Sequence, residues 1–188
     1  YQLPTVFEIW RQQMGTMHAD YAQVVTVDAE DQIYIAGYST VDTDMSGDEW
    51  HDTAWLTAYD FAGRQQWFEE LGTGQRNQPL LLTQDRVGRV YVAGHIMERT
   101  KSNTPVIWLA QYQGGDSTPH WHRELHLENI DSLRGFAIDQ QGYIYLAGRS
   151  INPYAPVGSD SFYQSWLAKY DPSGKMRIWI QQLEGSRL

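Results

Sequence analysis

The chain has 188 residues, a formal charge of −9, 41% hydrophobic residues and 20% charged residues. That is enough apolar chain for one packed domain and argues against disorder, and the negative balance argues against nucleic acid, whose phosphates require a basic face. Cysteine is absent, which excludes disulfides, thiol nucleophiles and cysteine-based zinc sites, and no apolar run is long enough for a membrane-spanning helix.

The first residue is Tyr1 rather than Met, so the expectation is a processed product or a segment of a longer chain. Residues 6–14 alternate around Trp10 and predict a lone outer strand. Residues 23–28 alternate into a turn at Ala29-Glu30-Asp31, and 32–39 form a second strand rich in Ile and Tyr. Residues 53–60 predict a third strand, and 64–71 a fourth after the turn Phe61-Ala62-Gly63. No window carries a helical period.

The same four strands then return. Ile33-Tyr34-Ile35-Ala36-Gly37 recurs as Val90-Tyr91-Val92-Ala93-Gly94 and as Ile144-Tyr145-Leu146-Ala147-Gly148, at spacings of 57 and 54 residues. Trp55-Leu56-Thr57-Ala58-Tyr59 recurs at Trp108 to Tyr112 and at Trp166 to Tyr170. A further tryptophan stands at Trp10, Trp67, Trp121 and Trp179, and an aspartate follows the first three by 18 residues, at Asp28, Asp85 and Asp139. The chain therefore reads as all-β, in repeats of about fifty residues, the length of propeller blades. The predicted divisions are 23–71, 80–127 and 134–183, three four-stranded antiparallel units plus the strand at 6–14.

The phrases "VYVAG" and "WLAKYDPSGK", with a tryptophan in each last strand, resemble the SBBP-type bacterial β-propeller repeat over almost the whole chain. That resemblance implies propeller blades with the Asp28-type strand innermost and the Trp67-type strand outermost. It also implies an exported or cell-envelope setting, extracellular or periplasmic. Three blades are fewer than the usual closed ring of at least about four, so the expectation is a propeller segment completed by self-association or by a partner.

Residues repeated in every cycle are assigned to the fold, and unrepeated polar residues to function. Asp20, Asn77 and Asp131, each ten residues after a tryptophan, are expected to bond local backbone before the first strand. Short turns should follow strands one and three, and longer connections strands two and four on the opposite side, the strand-two loops being unlike one another. Those loops supply the candidate partner face: Tyr38, Trp50, His51, His95, Arg99, Arg149, Tyr154 and Tyr163.

The first loop also opens as Asp42-x-Asp44-x-Ser46-Gly47-Asp48, the start of a calcium-binding pattern. Its twelfth position is Thr53 rather than a bidentate Glu, so a solvated acidic loop stands beside calcium as a reading. His120 and His122 flank Trp121 and face away from it, a two-ligand arrangement with His126 nearby. Nucleophile-elbow, zincin, P-loop and dinucleotide motifs are absent from the sequence. The leading expectation is a non-catalytic protein-binding scaffold. A glycan-binding propeller using Tyr38, Trp50, Tyr154 and Tyr163 is the alternative, and an enzyme with a multi-blade site the third.

Overall fold

Apolar and polar residues alternate at period two between turns bearing Asp and Gly, so the regular elements are strands. The computed structural model describes residues 8–13, 15–42, 50–71, 76–97, 105–113, 115–159 and 162–183. Among them run β1 (Ala19–Val27), β2 (Ile33–Asp42), β3 (Trp50–Tyr59), β4 (Gln65–Glu70), β5 (Arg76–Gln84) and β6 (Val90–Met97). They continue as β7 (Val106–Tyr112), β8 (Trp121–Leu125), β9 (Ile130–Ile138), β10 (Ile144–Ile151), β11 (Tyr163–Tyr170) and β12 (Arg177–Leu183). Three four-stranded sheets result, each ordered as the chain runs, with every ladder antiparallel. The first strands of the sheets touch in sequence, β1 with β5 and β5 with β9.

The repeated aspartates close the first turn of each sheet. Asp28 Oδ1 accepts the amides of Glu30 and Gln32, and its Oδ2 accepts the Tyr34 hydroxyl at 3.2 Å. Asp85 does the same with Val87, Arg89 and Tyr91, and Asp139 with Gln141, Tyr143 and Tyr145. One carboxylate thus holds both the turn amides and the first tyrosine of the next strand. The turn needs one residue at positive φ; Gly88 and Gly142 supply it, while sheet 1 uses Asp31 at φ 62°.

The Ala-Gly and Trp-Leu phrases are two halves of one contact. Gly37, Gly94 and Gly148 are ladder partners of Trp55, Trp108 and Trp166. A Cβ on Gly94 would lie 2.3 Å from the Gln78 carbonyl oxygen and 2.5 Å from the Trp108 ring. The indole crosses its neighbour where no side chain stands.

Face-to-face packing makes two cores. Sheet 1 places Tyr34, Ala54 and Leu56 against Val92, Trp108 and Tyr112 of sheet 2. Sheet 2 places Ala93, Ile107 and Leu109 against Leu146, Trp166 and Tyr170 of sheet 3. Each sheet therefore has a leading face that meets the sheet before it and a trailing face that meets the sheet after it.

Two expectations differ from the structure. Residues 8–13, predicted as an outer strand, join no ladder among the described residues. A strand needs an edge to pair with; here Trp10 lies instead on the turn after β3, its Nε1 donating to the Phe61 carbonyl at 3.1 Å. The connection between β7 and β8 is also not a short turn but spans residues 113–120.

Candidate binding surface

The loop-side ends of the sheets carry most of the described candidate residues. Tyr38 of β2 stacks on Tyr21 of β1, with ring centroids 4.9 Å apart and an interplanar angle of 21°. Burial raises the Tyr38 pKa, and the nearby Asp52 carboxylate adds to that. Beside it, the Ser39 hydroxyl donates to Asp20 Oδ1, and Thr16 donates its amide and hydroxyl to the same carboxylate. Burial works against the Asp20 charge, but those hydrogen bonds prevail and hold its pKa below the usual carboxylate value.

Asp52 links two sheets. It accepts from Thr40 Oγ1 at 2.8 Å within sheet 1 and from Gln78 Nε2 at 2.6 Å, reaching across to β5. Gln78 is the ladder partner of His95. Further round, Arg149 Nε bonds Asp131 Oδ2 at 2.6 Å, and its guanidinium lies 4.0 Å from the Tyr163 ring centroid. Asp20, Asp52 and Asp131 are all committed to protein donors. The rim thus presents amide, imidazole, guanidinium and phenol groups in fixed positions, an arrangement suited to recognition.

His95 is half-buried on β6. Burial depresses its pKa, Arg134 reinforces the effect and Asp52 opposes it. The unfolded chain therefore takes the proton first as pH falls, and folding loses stability in that range. We expect full stability from this group above about pH 6.5, and a decline as pH drops below that value. His95→Gln should flatten this part of the denaturant midpoint against pH; an unchanged slope would assign the decline to other groups.

The remaining candidates are scattered. His51 lies on β3 and is half-buried, and Tyr154 is 95% exposed in the loop after β10. Trp50 opens β3 and Asp42 closes β2. Asp44, Ser46, Asp48 and Arg99 lie outside the described residues. Of the expected backbone anchors, Asp20 accepts from the Thr16 amide and Asn77 donates to the Leu71 carbonyl, whereas Asp131 binds the Arg149 side chain. His122 packs beside the Trp108 ring, and His126 stands 4.0 Å from Glu124. No group of three His, Asp or Glu side chains placed to hold a metal ion occurs among the described residues.

Sequence reasoning missed Gln78, Arg134 and the inter-sheet role of Asp52, which arise only where separate sheets meet. It also missed the trailing face of sheet 3. There Lys169 Nζ lies 4.1 Å from the Tyr143 ring centroid and 4.9 Å from that of Tyr145, and 3.8 Å from Asp139 Oδ2. Trp179 meets Tyr145 edge-on at 6.3 Å. Leu167 and Trp179, at the register of the packed Leu56 and Trp67, are only partly covered, Trp179 being 38% exposed.

The chain matches no protein-family model and no curated protein. No helix among the described residues is long and apolar enough to cross a membrane.

Proposed function

We propose that the chain is a β-propeller segment that acts as a non-catalytic binding scaffold for protein in an exported or envelope-associated assembly. The observation that carries this reading is the repeated interface. Among the described residues one face-to-face contact is made twice, and the residues that would make it a third time, Tyr145, Leu167 and Trp179, stand on sheet 3 with no described sheet over them. Exposed apolar surface of this kind marks an interaction site. The committed carboxylates of the loop-side rim favour recognition over acid-base chemistry.

Two of the glycan-binding candidates already have a ring face engaged, Tyr38 by Tyr21 and Tyr163 by Arg149. That leaves less stacking surface for a sugar and favours protein as the ligand class. The acidic pattern of Asp42, Asp44, Ser46 and Asp48 has two readings, a solvated loop and a calcium site, and the scaffold reading depends on neither.

A photo-crosslinking residue at position 167, introduced into the purified chain and exposed to an envelope extract, tests the proposal. Protein adducts are expected from position 167 and not from position 87, where Val87 is 75% exposed on the turn side. If no protein adduct forms at position 167, the scaffold reading fails. Binding on a glycan array that Tyr154→Ala and Trp50→Ala abolish would replace it with a lectin.

A further inference from the structure

Four tryptophans share one register, and their surroundings differ in a way that names an occupant for the open face. Trp67 leaves sheet 1 and stacks on Tyr112 of sheet 2, with centroids 6.1 Å apart at 20°. Trp121 leaves sheet 2 and covers the turn after β11, so close that a Cβ on Gly174 would sit 3.2 Å from its ring. Trp10 makes the corresponding contact on sheet 1: a Cβ on Gly63, the counterpart of Gly174, would fall 2.7 Å from its ring. Trp179 has its own-sheet neighbour Tyr145, and among the described residues no turn of a following sheet lies under it.

Trp10 thus sits on sheet 1 as a preceding sheet's last tryptophan would, but from residues that belong to no ladder. The segment covers only the outer half of the leading face, leaving an open pocket of about 250 Å³ between Gln12, Thr16, Trp55, Tyr59 and Phe68. The inner half is open: Val25 is 63% exposed and Val27 is 47% exposed. Their counterparts Leu82, Phe136 and Ile138 pack into the two cores. The described residues therefore carry both halves of one repeated interface, an open leading face on sheet 1 and an open trailing face on sheet 3.

We propose that the trailing face of sheet 3 docks on the leading face of sheet 1 of a second copy, and that Trp179 takes the seat over Phe61 and Gly63 that Trp10 holds in the single chain. This rests on the scaffold reading and names its partner. The contact is head-to-tail, so two copies closing on each other make it twice and complete a ring of six sheets. Trp10 is the internal competitor for the seat, and the −9 charge of each copy opposes docking at low salt.

The test is molar mass by light scattering over a concentration series. The wild-type mass is expected to rise from 21.7 kDa toward twice that value. Removing the competitor in Trp10→Ala should lower the midpoint concentration, and Trp179→Ala should raise it, each on the order of tenfold. Val25→Asp, which leaves both tryptophans intact and alters an exposed site, should also raise it. The proposal is overturned by a single-chain mass for wild type and Trp10→Ala at every concentration, or by Trp179→Ala associating as wild type does. If position 167 crosslinks to other proteins but never to a copy of this chain, the second copy is wrong while the scaffold reading stands.

Discussion

Trp108→Ala is expected to cost about 4 kcal/mol of folding stability, read from the shift in urea midpoint at constant slope. Trp108 is 1% exposed and lies in the core between sheets 1 and 2, among Ala54, Leu56, Val92 and Tyr112. Truncation leaves an indole-sized void flanked by two ladders whose hydrogen bonds prevent the sheets from closing over it. The buried Nε1 has no hydrogen-bond partner among the described residues, so the loss is one of packing alone. Trp108→Phe keeps most of the ring volume and removes that unpaired donor, and should cost only about 1 kcal/mol. If both variants lost the same stability, the cavity account would fail.

Gly94→Ala is expected to cost about 3 kcal/mol although it adds a single methyl group. The new carbon would stand 2.3 Å from the Gln78 carbonyl oxygen and 2.5 Å from the Trp108 ring. The ring could be removed by a second substitution; the carbonyl belongs to the adjoining ladder and cannot. Gly94→Ala combined with Trp108→Ala should therefore cost less than the two single losses together, yet more than Trp108→Ala alone. A double-mutant cycle in urea reads this coupling directly. Strict additivity would mean that the indole is not what excludes a side chain at position 94.

The strands and their turns were legible because the information is local. Alternation sets the face, and an aspartate followed six residues later by a tyrosine marks each first turn, as Asp28 with Tyr34 or Asp139 with Tyr145. The Gly-Trp register was visible as a repeated phrase, though its cause, an indole lying across a bare backbone, emerges only from the ladder. The strand predicted over 6–14 shows the limit of that logic, since alternation specifies a face but not the neighbour that must pair with it. On the loop side, position alone pointed to His95, Arg149 and Tyr163. The groups that engage or influence them come from other strands: Arg134 leaves no pattern in neighbouring residues, and the repeat that marks Asp131 pointed to local backbone rather than to Arg149. The reach from Asp52 to Gln78 joins two sheets, and no repeat contains it.

Among the described residues every ladder joins strands that follow one another in sequence. A chain emerging from the ribosome can therefore satisfy the backbone of one sheet before the next sheet has been synthesised. Loop closure is short at each step, and only the packing of faces must wait. Until the following sheet arrives, the newest trailing face is bare, as that of sheet 3 is among the described residues. The surface proposed for docking is thus also the one that each repeat exposes in turn during synthesis, and a bare apolar face at that stage favours aggregation.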